Sequence, residues 1–402
     1  MATSGAPSGV VTVNKALQAA PRWRREPYVV FFPLGIVLSW TGVGHWLAYG
    51  FGWTLHYRAI FHSMAQVEGF LLCFAVGFLF TMIPRRTGSA PPSAWEMVVC
   101  LIAPVTTVIA AWQEWWMLSQ VGWLVVCSVL VAFVLRRFLS VSSMRRPPNS
   151  FVWIPMAFLM GLAGALLTGG YAVLGEDYRW LHEVGRGLLL QGVFISLILG
   201  VGGLALPMMT RGVAPADTTA TTKDRLARLG HLLAGAVLAA SFFVQAQVSV
   251  AMAMGLRAAV IVVVLIAGPQ LWKPPLREGW NRRAVWLSGW LLPAGFVVAA
   301  LFPAQFQAGL HISFIGGFAL LTLAVSTHVV LGHSGYDSLL KGRPWQVAAI
   351  AGFTVAAMAA RVMMEFDYLH RLHWMACAAA FFLVATGVWA AFLVPKVIRP
   401  IE

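Results

Sequence analysis

With 402 residues, 59% hydrophobic and only 10% charged side chains, and a mean hydropathy of +0.78, the chain is too apolar to be a soluble domain of its length. A net charge of +14 would suit nucleic acid, but the basic residues come in twos and fours between apolar runs and form no single patch, which points to membrane orientation and no nucleic-acid partner. The four cysteines, Cys73, Cys100, Cys127 and Cys377, sit inside apolar runs without C-x-x-C or C-x-x-C-H spacing, which argues against covalent c-type haem, a zinc ribbon and a disulfide framework.

The N-terminal stretch ending in Arg24-Arg25 has no apolar h-region and no small-x-small cleavage site, so residues 1–28 are expected to form a disordered cytoplasmic tail and not a signal peptide. A membrane crossing takes about 20 mostly apolar residues. Windows of that kind fall at 29–50, 61–84, 95–113, 117–135, 151–174, 184–207, 226–246, 248–271, 284–303, 307–331, 345–364 and 372–394. The expected fold is therefore an all-α polytopic membrane protein of about twelve helices, one domain over 29–394, followed by a short cytoplasmic tail at 395–402.

Lys and Arg should collect on the cytoplasmic side. With the N-terminus inside, every inside segment is basic, and of the 28 Lys and Arg residues only Arg58, Arg179, Arg186, Arg257, Arg361 and Arg371 fall elsewhere. The outside loops are short and carry Glu114, Glu176, Asp177, Glu365 and Asp367. An even number of crossings with both termini cytoplasmic follows.

The second window is the richest in chemistry. On a straight helix His62, Gln66, Gly69 and Cys73 fall within about 40° of one another and form a small, polar stripe. Glu68 lies within the same apolar run, where inserting an ionised side chain costs roughly 2.5 to 3.5 kcal/mol, which makes it a functional candidate. Spans two, six and ten share an outline: His62, His182 and His311 stand at the outer mouth, and turns ending at Gly88, Gly212 and Gly335 close the inner one. Arg211 in the second of these turns is a further candidate. The interval of four spans suggests three pseudo-repeated four-helix units around a common centre; chance among ten histidines is the alternative.

On this topology His45, His56, His62, His182, His311, His370 and His373 belong to the outer half, and His231, His328 and His333 to the inner half. Histidine is costly to bury in lipid and is the commonest metal and haem ligand, so the outer collection suits a b-type haem or copper site, with His62, His311 and His373 foremost. For any one of them an interfacial anchor or a hydrogen bond to a carbonyl explains as much. His311 and His333 are about 33 Å apart on one helix and cannot share an iron, although a straight helix puts both on a face with Thr322 and Ser326. His333, His328 and His231 are the candidates for an inner metal. Arg186 either pairs with Glu183 or stands beside a haem propionate. Asp367 either orients His370 or forms an ordinary surface pair with it.

Three segments, FHSMAQVEGFLLCFAVGFLFTMIPRRTG at 61–88, ILGVGGLALPMMTRG at 198–212 and HISFIGGFALLTLAVSTHVVLGHSG at 311–335, carry a family pattern. With the twelve-span layout, the chain resembles the NnrS family of bacterial inner-membrane proteins. The resemblance implies haem, copper and a role in nitric oxide metabolism. Departures are visible: Met64 and Ala65 stand where the family pattern has histidine and glutamate, Leu204 where it has arginine, and His328 where arginine is usual. If those positions complete a copper or haem site in relatives, this chain has altered it. The layout is also similar to the catalytic subunit of haem-copper oxidases, but span ten offers no H-x-H and span seven no His-His pair, which disfavours an oxygen-reducing oxidase.

Three functions compete at this point. The first is a haem protein acting on or sensing nitric oxide, which would need a membrane redox partner that no motif identifies. The second is a small-solute or proton-coupled transporter, with Glu68, Arg257 and Arg361 lining its path. The third is a haemless assembly or interaction factor whose ligand positions have diverged. Neither a catalytic residue nor an enzymatic reaction follows from the sequence.

Overall fold

The computed structural model describes residues 19–138, 147–215, 218, 221–276 and 278–401. Most of the expected N-terminal tail therefore lies outside the described residues, as do Arg145, Arg146 and Arg277.

Hydrocarbon offers no hydrogen-bond partner to a peptide group, so apolar runs of this length close their own backbone bonds as helices. Twelve do so: α1 (Tyr28–Gly50), α2 (Ala59–Thr87), α3 (Ala94–Trp112), α4 (Trp116–Phe138), α5 (Asn149–Tyr171), α6 (Glu176–Arg211), α7 (Thr222–Gln247), α8 (Val250–Ala267), α9 (Trp280–Leu301), α10 (Pro303–His333), α11 (Trp345–Met363) and α12 (Arg371–Ile398). Among the described residues there is no strand. The chain is a multi-pass membrane protein with each expected crossing in place. The largest difference is at α6, which begins at Glu176 and not near 184, because Arg179–Gly187 forms an amphipathic turn that buries Leu181 and Val184 while its charges stay in water.

The helix ends are written locally. α3 and α7 start on capping boxes, Ser93 with Glu96 and Thr221 with Asp224, which satisfy otherwise orphaned N–H groups. Glu96 is buried and takes an ion pair from Arg136 at 2.8 Å, tying the start of α3 to the end of α4. After α2 and α6 the chain turns at Gly88 and Gly212, both left-handed, where a side chain would be strained.

The helices pack in three runs, α3–α4–α5–α6, α7–α8–α9–α10 and, joining the last two helices to the first two, α11–α12–α1–α2, each ending in a central helix. The central helices α2, α6 and α10 have 83%, 78% and 72% of their apolar windows buried, against 22–50% for the other nine. Each also contains a π-helical stretch, at Ala65–Leu71, Leu188–Gly192 and Ile312–Ala319. π turns insert an extra residue and often mark functional sites.

Backbone contact fixes the register of this pseudo-threefold arrangement. A Cβ on Gly42 would approach the carbonyl of His62, one on Gly164 that of Gly185, and one on Gly295 that of Gly309. In each case the π stretch begins three residues later, and the left-handed glycine follows at nearly the same distance along the chain, 62 to 88, 185 to 212 and 309 to 335. His62, Gly185 and Gly309 are thus the equivalent positions. His182 and His311 sit on either side of theirs, so the histidine echo read from the sequence is out of register although the repeat of helices is real.

Close approach of this kind holds membrane helices together where apolar burial cannot. At Gly309 an added methyl would meet the backbone nitrogen of Ala299 and the carbonyl of Gly295, both at 2.5 Å, and neither can rotate away. Gly309→Ala should therefore force α9 and α10 apart and lower stability by about 1 to 3 kcal/mol. Gly255→Ala, whose methyl would meet nothing within 4 Å, is the control. Melting curves of the two variants in detergent measure the difference.

Arg22 donates to the carbonyl of Val397, and the Ile401 N–H to that of Ser334, so the first and last described residues share one face, here termed the terminal face; the opposite one is the distal face. Residues 22–28, expected as part of a disordered tail, are instead docked: Arg22–Arg25 is a short helix, and Arg24 donates to the carbonyl of Pro92 at 2.8 Å. Glu26 bonds both Arg85 at the end of α2 and His333 at the end of α10, the latter at 3.1 Å. Burial pushes the Glu26 carboxyl up, but the His333 hydrogen bond and the Arg85 and His333 charges outweigh it and hold it below its ordinary value. A depressed carboxyl contributes stability above its unfolded pKa and loses it as pH falls through the folded one. Glu26→Gln should accordingly cost up to about 1 kcal/mol at pH 7. The gap between the two melting curves should close on acidification below about pH 4.

Candidate functional site

A cavity of about 360 Å³ opens near the distal face between α1, α2, α10, α11 and α12, with Arg186 and Leu190 of α6 at its back. Away from it, Trp123 and Phe158 of α4 and α5, and Phe242, Arg257 and Phe296 of α7, α8 and α9, are essentially inaccessible.

His62 and His311 both line it, from different central helices. His62 Nδ1 lies 3.1 Å from the carbonyl of Gly42, and His311 Nδ1 lies 2.8 Å from that of Gln307, one turn earlier on its own helix. A carbonyl only accepts, so each Nδ1 carries the proton and each Nε2 keeps its lone pair for a ligand. This is the arrangement in which an outer partner fixes the tautomer and orientation of a metal-binding imidazole. Trp46 stands 5.4 Å from the His62 ring and Phe314 6.0 Å from that of His311. Phe70 and Phe382 complete apolar walls.

The cavity is also cationic. Arg186, Arg361 and Arg371 line it against a single carboxylate, Glu365, which Arg361 engages at 2.7 Å. Glu183 pairs with Arg179 and not with Arg186, so among the described residues Arg186 faces the cavity without an acidic partner. Gln66 lines the wall as well, its amide donating to the carbonyl of Ser39 at 2.8 Å.

Other expected residues are elsewhere. His182 lies tilted against Tyr171, ring centres 5.2 Å apart, and His373 is exposed beside His370, at 6.2 Å; neither lines the cavity. Asp367 accepts from Trp374 at 2.9 Å and from His370 at 3.0 Å, a surface arrangement that holds its carboxyl below the usual range, mainly through the Trp374 bond.

The three inner histidines do not converge. His231 accepts from Trp153 Nε1 at 3.1 Å, His333 belongs to the Glu26 and Arg85 cluster, and His328 Nδ1 is buried without a hydrogen-bond partner. Among the described residues no three His, Cys, Asp or Glu side chains approach closely enough to hold a metal ion. Arg211 caps the end of α8, donating to the carbonyls of Pro269 and Gln270 at 2.7 and 2.9 Å.

Glu68, Arg257 and Arg361 do not line a shared path, since only Arg361 reaches the cavity. Glu68 is 2% exposed, lies near Cys127 of α4, and among the described residues its Oε2 has no hydrogen-bond partner. Met64 points the same way, its sulfur accepting from Ser119 at 3.7 Å, and Ala65 packs beneath Gly42. The departures from the family pattern at 64 and 65 therefore lie behind the cavity wall and not in it. Of the residues the sequence reading missed, Gln307 carried a signal, its place one turn before His311; the Gly42 carbonyl carried none.

Fold and site together define a multi-pass helical membrane protein with one histidine-walled, basic chamber near its distal face. The family model described as NnrS protein matches residues 22–400. The chain belongs to the NnrS family. No curated protein matches it.

Proposed function

We propose that the protein is a b-type haem protein of the bacterial inner membrane that acts in nitric oxide metabolism or nitrosative-stress defence, with haem in the distal cavity and both termini cytoplasmic. The observation that carries this reading is the pair His62 and His311: two imidazoles on different central helices, each with Nδ1 tied to a backbone carbonyl, lining the same chamber. The donor set fits haem. His62 and His311 would hold the iron through Nε2, the aromatic walls would pack against the macrocycle, and Arg186, Arg361 and Arg371 would bond its propionates. Haem held there would supply a one-electron redox centre, while the chain orients the imidazoles through the Gly42 and Gln307 carbonyls and offers its arginines to the propionate charge.

Copper is not part of the proposal, because the described residues bring no three suitable ligands together. The transporter reading is weakened by the separation of Glu68 and Arg257 from the cavity. An absorption spectrum with iron and copper analysis, on protein purified from haem-replete cells, tests the reading. A Soret band with about one iron per chain is expected; colourless protein would overturn it.

A further inference from the structure

A second, partly open cavity of about 110 Å³ lies between α2, α6 and α10, close to the pseudo-threefold axis, with Phe32 of α1 also in its wall. All three central helices contribute at similar depth: Ala75 and Phe78 from α2, Val201 and Ala205 from α6, Thr322 and Val325 from α10. These six are partly accessible although they sit in the most buried helices of the protein, which marks real space between them. Leu71 belongs to the wall of this cavity and of the distal chamber, so the two spaces adjoin.

The lining decides what can occupy it. Only two hydroxyls are present. That of Ser326 is already used in both directions, donating to the Leu323 carbonyl and accepting from Trp389 Nε1, each at 3.0 Å. Thr322 alone cannot give a water the two to four polar partners it needs. No charged side chain lines the space, which excludes ions. An apolar cavity of about 150 Å³ elsewhere stays dry and takes up benzene or xenon, and this one is smaller. Its size and lining suit an uncharged, weakly hydrated molecule smaller than benzene.

We infer that the axial cavity between α2, α6 and α10 is a binding site for a small neutral gas, held beside the distal chamber. Such molecules already partition into the bilayer, and a cavity with so apolar a lining favours them over water. The gas site stands without the haem assignment; only its use in feeding the distal chamber rests on that assignment.

Xenon is the probe, because it reports the cavity whether or not haem is bound. The full-length protein should show saturable ¹²⁹Xe exchange by NMR, and a crystal under xenon pressure should show the atom among Ala75, Ala205 and Val325. Ala205→Leu and Val325→Phe fill the space from two different helices, and either one, melting like the parent, should weaken xenon binding at least tenfold. Absence of saturable binding in the parent protein, xenon bound only elsewhere, a lipid or detergent chain in the cavity, or undiminished binding in both filled variants would each overturn the inference. Should neither variant fold, the position of xenon in the parent crystal decides. Colourless protein that still binds xenon on the axis would retire the haem reading and leave this one standing.

Discussion

Replacing either His62 or His311 with alanine should remove the Soret band from protein purified under haem-replete conditions, while His373→Ala and His182→Ala should leave it in place. Loss of an outer partner to a metal-bound imidazole typically costs 10- to 100-fold in affinity, so loss of the imidazole itself should exceed about 100-fold. The pair is sensitive because its members come from separate helices, each placed by backbone contact with its neighbour, α1 for His62 and α9 for His311. Gly42 supplies the carbonyl that holds His62, and a methyl on Gly42 would stand 2.8 Å from both Ala65 Cβ and Gln66 Nε2. Gly42→Ala should therefore shift or weaken the same band without touching a ligand. An unchanged spectrum in both His62→Ala and His311→Ala would remove this pair from consideration and leave the cavity without a haem assignment.

Crossings were legible because hydropathy decides them almost alone: twenty apolar residues in lipid have few alternatives to a helix. Orientation of side chains around those helices was less legible. A straight advance of 100° per residue puts Gly69 and Cys73 on the His62 stripe, but the π stretch at Ala65–Leu71 adds a residue to the turn and rotates everything beyond it by about 100°. Gln66 stays with His62 in the chamber, whereas Gly69 turns to Leu38 and Val108 and Cys73 packs against Gly35. The same effect in α10 separates His311, which faces the distal chamber, from Thr322 and Ser326, which face the axis. No residue pattern in the sequence announces a π turn. His373 and His182 illustrate a second limit. Depth in the membrane can be read from position along a span, but which bay a residue faces depends on how the three helix runs close around one another.

Arg257→Ala should be among the most destabilising single substitutions in the protein, lowering its resistance to unfolding by about 2 to 4 kcal/mol. Arg257 is inaccessible, and an arginine at the centre of a membrane helix costs roughly 2.5 to 3.5 kcal/mol to insert. The bonds that offset this cost reach two other helices: Nη1 donates to Gln191 Oε1 at 2.7 Å, Nε to Ser241 Oγ at 2.9 Å, and the guanidinium lies 4.0 Å over the Phe242 ring. Gln191 sits in the π stretch of α6, so Arg257 fastens α8 to the least regular turn of a central helix. Truncation would strand the Gln191 and Ser241 acceptors and leave a void, and both effects act in the same direction. The double variant Arg257→Met with Gln191→Leu removes donor and acceptor together and keeps the volume, so it should recover most of the loss. Because neither residue lines the distal chamber, that double variant should also keep whatever cofactor spectrum the parent has, and a spectrum lost with stability restored would mean that Arg257 acts on the chamber through α6.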